Sequence, residues 1–346
     1  MSLIDRILCD HYDDMNLADH GLSRAWESVL LTPRFVTSRH VVALIFAAGT
    51  RHPRLVVKVP RRPGDNEGVL REARLLRELA ACTGAAVGDV PEILGAFEIG
   101  RDTVLVETAL VGAPLDPARV AADLDLAIRS GTTFLDALPV TEDAVHGWYE
   151  RMVAEPLRAL AQLVPHDAEV TELCERTHDV LAPLRSAALP AVFEHGDLSH
   201  PNILLHNGTK LQVMDWERAS TAGLPGLDLV FYLQYLSESA SSAYSRPQQL
   251  DAFVDAWGRH GWGRPILRSH LAGRRIDPDL MPLMIVASWA RSAATLSYRL
   301  APSETDMAEV DCGQLSSAVA DDRDYWLWRH SLAAAEVHPM SPLSIR

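Results

Sequence analysis

Lysine is almost absent from this chain. Of 32 basic residues 30 are arginine, and the two lysines are Lys58 and Lys210. Arginine carries the generic positive charge, so a lysine retained in the apolar stretch Val56-Val57-Lys58-Val59 points to a specific role. Alone, a lysine in a strand is usually an edge or snorkelling residue. Cysteine is scarce as well: Cys9, Cys82, Cys174 and Cys312 lie far apart, and none forms a Cys-x-x-Cys pair. That excludes a disulfide framework and the common zinc patterns, and leaves free thiols expected in a reducing cytoplasm. Long apolar runs are missing. The longest, near residues 280–290, falls short of the ~20 residues that a membrane span requires, and the start has no basic segment leading into an apolar one, as a secretory signal would. Positive charge is also in deficit. The net charge is −14, from −2 over residues 1–110 (13 Lys+Arg, 15 Asp+Glu) and −12 over the remainder (19 and 31). Such an acidic chain disfavours nucleic acid and anionic membrane as partners. It suits a cationic ligand, although surface charge serves solubility equally well.

What is present is enough for a folded, two-lobed protein: 346 residues, 48% hydrophobic and 23% charged. The periodicity predicts an amphipathic helix over residues 3–30, then strands at 40–48 and 55–59 across the turn 49–53. A helix is expected at 67–81 and strands at 93–98 and 103–107. From residue 111 alanine- and leucine-rich helical patterns dominate, at 116–130, 142–164, 168–187, 226–238, 247–260, 279–299 and 322–336. Pro302 is expected to stop the helix that holds Trp289. Two short apolar strands interrupt them at 191–193 and 211–214. The expected fold is α+β: a small antiparallel sheet with one main helix in residues 1–108, and a larger, mostly helical lobe in 109–346. No internal repeat or low-complexity tract is present.

The densest chemistry lies in His195-Gly196-Asp197-Leu198-Ser199-His200-Pro201-Asn202, followed by Met214-Asp215-Trp216-Glu217. Asp197 and Asn202 have the D-x-x-x-x-N spacing in which an aspartate accepts a hydroxyl proton and an asparagine binds magnesium. Asp215 follows a strand and supplies a second carboxylate. Magnesium takes few protein oxygens beside phosphates and water, and a carboxylate with an amide oxygen suits it. The apolar run Ile203-Leu204-Leu205 links the two segments as a hairpin. A surface turn rich in Asp, Asn, Gly and Pro is the competing explanation, but it does not account for the joint pattern. His195, His200 and His206 fit no common zinc spacing.

These motifs resemble the aminoglycoside phosphotransferase and choline kinase group, which has the protein-kinase-like fold. That group carries His-Gly-Asp, and Asp-Trp-Glu or Asp-Phe-Glu, at the corresponding places, and the resemblance covers about residues 30–235. It implies an ATP- and Mg²⁺-dependent phosphotransferase with an alcohol acceptor, in which Asp197 is the catalytic base and Asn202 and Asp215 are the metal ligands. His195 would brace the catalytic loop rather than act as base. Lys58 would bind the nucleotide phosphates and pair with Glu72, with Glu67 and Glu78 as neighbouring candidates. The hinge would be Leu105-Val106-Glu107-Thr108-Ala109, with the Glu107 carbonyl and Ala109 N–H reading adenine and Val56 and Leu204 sandwiching it. Glu217 would reach the metal region and Asp228 would cap the following helix. The phosphate-covering loop, residues 32–40, has no glycine, so Ser38, Arg39 and loop N–H groups would substitute.

The acceptor is less legible. A hydroxyl of a small, cationic, aminoglycoside-like molecule is the leading expectation. Asp277, Asp279, Asp311, Asp321 and Asp322 could supply acidic contacts, and Trp289, Trp326 and Trp328 could shape the site. A serine or threonine of a biosynthetic precursor peptide is a second reading. A nucleotide-binding pseudokinase is a third.

Overall fold

The computed structural model describes residues 2–31, 40–83, 89–142, 147–187, 189–300 and 312–337. In chain order its elements begin with α1 (Leu3–Asp10), β1 (Trp26–Leu31), β2 (His40–Ala47), β3 (Leu55–Pro60) and α2 (Glu67–Thr83). Next come β4 (Ile93–Ile99), β5 (Asp102–Thr108), β6 (Ala113–Pro114), α3 (Pro117–Ala122), α4 (Leu124–Ala137) and β7 (Val140–Glu142). After a π-turn at Glu150–Ala154 follow α5 (Glu155–Leu163), α6 (Ala168–Val180), β8 (Ala191–Glu194), β9 (Ile203–His206), β10 (Lys210–Val213) and β11 (Ser220–Gly223). The rest is helical: α7 (Leu227–Ala240), α8 (Arg246–Trp257), α9 (Gly263–Gly273), α10 (Met281–Ala294), α11 (Leu296–Arg299), α12 (Cys312–Asp321) and α13 (Arg323–Val337).

Two compact units emerge. One comprises Met1–Leu115 with His200–Ala219; the other comprises Asp116–Ser199 with Ser220–Arg346. A boundary after residue 108 would leave the hairpin β9–β10 outside the first unit. The units meet along the chain between Ser199 and His200, inside the Asp197-to-Asn202 motif.

The first unit is built on an antiparallel sheet in the order β1-β2-β3-β5-β4. Alternation along the strands sends side chains to opposite faces. On one face Ala43, Ile45, Leu55, Val57, Val104 and Val106 pack against Ile4, Ile7 and Leu8 of α1. On the other, Leu105 packs against Val69 and Ala73 of α2. The helix expected over 3–30 stops at Asp10. Ser2 and Asp5 close a capping box at its start, but Asn16 and Gly21 take positive φ (50° and 74°), which a helix cannot accommodate. The segment instead returns as the edge strand β1, paired with β2 from Trp26↔Ala47 to Leu31↔Val42.

The second unit packs helices around α7 and α10, both buried on nearly every side. The single helix expected over 116–130 is two: Asp123 leaves helical geometry (φ −150°) and its side chain accepts from Leu126 N–H to cap α4. Likewise α6 ends at Val180 and passes into a 3₁₀ turn at Ala182–Ser186, and α10 gives way to α11 at Thr295. Helix α9 is absent from the sequence expectation because Gly261, Gly263 and Pro265 read as breakers. Pro265 falls in the first turn, where its missing N–H costs nothing. The residue Pro302 lies outside the described residues.

Gly131 of α4 faces Tyr232 of α7, whose hydroxyl donates to Ala127 O at 2.6 Å. A Cβ at Gly131 would enter the van der Waals envelope of the Tyr232 ring. The expected outcome of Gly131→Ala is a loss of about 1–3 kcal/mol, seen as a lower thermal unfolding midpoint; an unchanged midpoint would contradict this packing.

Candidate active site

Lys58 lies in β3 on the face that α2 covers. On that helix Val69, Glu72, Ala73 and Leu76 follow i, i+3, i+4, i+7 spacing and are all buried, so Glu72 sits within an apolar stripe. A carboxylate there requires a partner. Lys58 Nζ supplies it, 2.6 and 2.7 Å from the two Glu72 oxygens. Glu67 and Glu78 are exposed on α2, and Glu78 faces Arg74 instead. Glu72 Oε1 also accepts the Trp216 N–H at 2.8 Å, and Trp216 is fully buried, its indole donating to Val213 O. One carboxylate thus ties sheet, helix and Asp-Trp-Glu segment together.

Two further acids face the same ammonium: Glu107 Oε1 and Asp215 Oδ1 each lie 3.5 Å from Lys58 Nζ. Burial works against the lysine charge, but Glu107, Glu72 and Asp215 outweigh it and hold its pKa well above the ordinary value. Burial pushes the Glu107 carboxyl up to about 8, with Glu72 and Asp215 adding to the rise and Lys58 opposing it. Its Oε2 has no hydrogen-bond partner among the described residues.

Asn202 and Asp215 flank the β9–β10 hairpin, whose turn uses Asn207 and Gly208 at positive φ (49° and 76°). Met214 N–H donates to Asn202 O at 2.9 Å, so the strands that carry the two residues run abreast. Asp215 itself adopts a left-handed backbone (φ 65°), uncommon for a non-glycine residue. Both side chains offer hard oxygen ligands of the kind that Mg²⁺ takes.

At the hinge the backbone groups expected to read adenine lie within the sheet. Glu107 sits mid-sheet, opposite Val56 on one side and Ile93 on the other. The Ala109 N–H donates to Arg54 O at 2.9 Å. Those backbone groups belong to the ladder, and the side chain of Glu107, not its carbonyl, turns toward Lys58. Past the strand, Thr108, Ala109, Leu110 and Val111 line an open cleft of about 440 Å³ together with Val90, Glu92, His206 and Gln212. The strand register could have exposed the Glu107 side chain: Lys58 opposes Leu105, so Glu107 shares its face. Val56 shares that face too, and Leu204 is buried in β9. Ser38, Arg39 and Asp311 lie outside the described residues.

In the second unit, β8 delivers the His-Gly-Asp turn. Gly196 has φ 81°, a conformation that suits glycine. Asp228 does not cap α7; it lies inside the helix, where Gly226 is the N-cap. Its carboxylate instead accepts the N–H groups of His195 and Gly196 at 2.7 and 2.8 Å. Burial and the Glu194 charge push Asp228 up to about 7 despite those two bonds. His195 is fully buried, and its Nδ1 accepts the Asp197 N–H at 3.2 Å. The imidazole therefore holds the turn through a backbone bond, and the Asp197 side chain is only half-buried. Trp289 and Trp328 are core residues, Trp326 is half-buried, and Asp279, Asp321 and Asp322 pair with Arg268, Arg246 and Arg299. Asp277 accepts from Asp279 N–H at a turn.

A family model described as the phosphotransferase enzyme family matches residues 41–269, about two-thirds of the chain. The chain belongs to this family. No curated protein matches it. Among solved structures, a thermostable mutant of aminoglycoside phosphotransferase APH(4)-Ia, in a ternary complex with ADP and hygromycin B, has a TM-score of 0.52 at 15% identity, covering 90% of this chain and 99% of that one. Choline kinase LicA from Streptococcus pneumoniae has a TM-score of 0.52 at 11% identity, covering 96% and 100%. ADP-bound aminoglycoside phosphotransferase APH(2'')-Ib has 0.50 at 14% identity, covering 92% and 98%. At these identities the likeness is one of fold, and this phosphotransferase has the kinase-like α+β fold. Among its described residues no helix is long and apolar enough to cross a membrane.

Glu107 generates a pH test. Its proton is held more tightly in the folded phosphotransferase than in the unfolded chain, so the buried carboxyl costs stability as pH climbs from about 4.5 to about 8. Glu107→Gln removes that cost. Thermal midpoints measured across this window should show the variant gaining on the wild type as pH rises, and parallel curves would refute the buried-acid assignment.

Proposed function

We propose that this protein transfers the γ-phosphoryl group of ATP, with Mg²⁺, to a hydroxyl of a small molecule. The observation that carries the reading is the buried Lys58–Glu72 pair joined through Trp216 N–H to the Asp215 segment, the arrangement that phosphoryl transfer asks of a nucleotide lobe. The aminoglycoside phosphotransferase complexed with ADP supports the nucleotide.

In this reading Lys58 holds the nucleotide phosphates and Glu72 fixes the lysine. Asn202 and Asp215 hold Mg²⁺, which when bound neutralises phosphate charge. The purine lies beside the end of β5 between Val56 and Leu204, and the Leu110 N–H, beyond the end of the ladder, reads its edge in place of Ala109. Asp197 orients the acceptor hydroxyl and accepts its proton as the new bond from oxygen to the γ-phosphorus forms. The bond from that phosphorus to the β–γ bridging oxygen breaks, and ADP leaves. His195 and Asp228 keep the Asp197 turn in place and take no proton from the acceptor.

For the acceptor we favour a small alcohol over a precursor peptide. Structural relatives include enzymes named for aminoglycosides and choline, and the −12 charge beyond residue 110 suits a cationic one. Asp197→Ala should lower turnover about 10²–10⁴-fold on whichever alcohol of an aminoglycoside and amino-alcohol panel is phosphorylated, with ADP affinity unchanged. Full turnover by the variant would remove Asp197 from its role as base. Nucleotide-dependent stabilisation without turnover on any acceptor would instead mark a pseudokinase.

A further inference from the structure

His40 opens β2 opposite Pro60, and two residues later Val42 opposes Lys58. Opposed residues project to one side of a sheet, as do residues i and i+2, so His40 stands on the face that carries Lys58. Its side chain is 9% exposed, and Nε2 lies 2.7 Å from Glu217 Oε2. Gly68, in the first turn of α2, makes the room: a Cβ there would stand 3.1 Å from His40 Cε1 and 3.9 Å from Glu217 Oε2. The other ring nitrogen, Nδ1, has no partner among the described residues. This is a polar atom of a half-buried ring, without a partner among the described residues, on the face of the nucleotide lysine.

We infer that His40 is a phosphate-binding residue, oriented by Glu217 so that Nδ1–H donates to a terminal phosphate of the nucleotide. The inference rests on the kinase reading above. Three arguments support it. The one lysine on this face shares its charge among Glu72, Glu107 and Asp215, so the phosphates need another donor. Residues 32–39 contain no glycine, whose close backbone approach would ordinarily supply N–H donors. Finally, the Glu217 carboxylate, 2.7 Å from Nε2, favours the charged ring. A protonated imidazole is a donor at both nitrogens. His40, Glu72 and Asp215 could alternatively share a metal ion, but Glu72 is already engaged by Lys58 and Trp216.

The test compares binding of AMP, ADP and AMP-PNP, with Mg²⁺, to wild type, His40→Leu and His40→Gln by calorimetry at fixed pH. His40→Leu, which fills the ring's space without a donor, should weaken ADP and AMP-PNP about tenfold, the loss of one charge-assisted hydrogen bond, and leave AMP unchanged. His40→Gln, which keeps an N–H donor, should recover part of the loss. Equal weakening of all three nucleotides, or of none, overturns the inference. So does a loss of Mn²⁺ affinity in nucleotide-free His40→Leu, which would make the histidine a metal ligand. If the wild type binds none of the three nucleotides, the kinase reading falls and this inference with it.

Discussion

Placing the Lys58 ammonium and the Glu72 carboxylate inside an apolar interface costs several kcal/mol for each ion in desolvation, and only close, fully bonded geometry offsets it. The first unit is organised to meet that condition. Glu72 lies in the buried stripe of α2 because its spacing from Val69, Ala73 and Leu76 puts it there. Lys58 faces it because strand alternation sends Val57 to the α1 side and Lys58 to the other. The second lone-pair demand of the carboxylate is met by the Trp216 N–H. Removing either ion would leave the other stranded, at about 3–5 kcal/mol, and would also release the Asp215 segment from its anchor. The pair therefore sets sheet register, helix rotation and the approach of the Asp215 segment at once.

The second unit solves a smaller version of the same problem. The His195-Gly196-Asp197 turn leaves two backbone N–H groups pointing inward, and Asp228 satisfies both from within α7. His195 then takes the Asp197 N–H. The direction of this turn comes from backbone hydrogen bonds to buried side chains. The bonds leave the Asp197 side chain itself partly exposed.

Acidity is concentrated around Lys58. Three carboxylates face Lys58, and Glu217 faces His40. Glu107 has an oxygen without a hydrogen-bond partner among the described residues, and burial raises its pKa. The near absence of lysine elsewhere is consistent with a chain in which that residue type is kept where its compact ammonium fits between carboxylates, a geometry that the planar, branched guanidinium of arginine does not reproduce.

How far all this could be read in advance differed by type of feature. Short linear motifs were legible: His-Gly-Asp, the Asn202 offset and Asp-Trp-Glu each depend on local spacing, and the sequence by itself determined the reaction class and the α+β layout with strands at Lys58 and Glu107 and helix α2 between them. Local pattern was less reliable where caps and left-handed residues intervene, as at Asp123, Asn16 and Gly21, because apolar periodicity continues past such points while the backbone does not. Partners across strands and helices were decided only by tertiary structure. Register chose Glu72 over Glu67 and Glu78, spent the Ala109 N–H on Arg54, turned the Glu107 side chain toward Lys58 and brought His40 to Glu217. Asp228 became a support for the His-Gly-Asp turn, not a helix cap, for the same reason. Each of these depends on which face a side chain leaves from and what lies opposite, and that is a property of the packed chain, not of sequence distance.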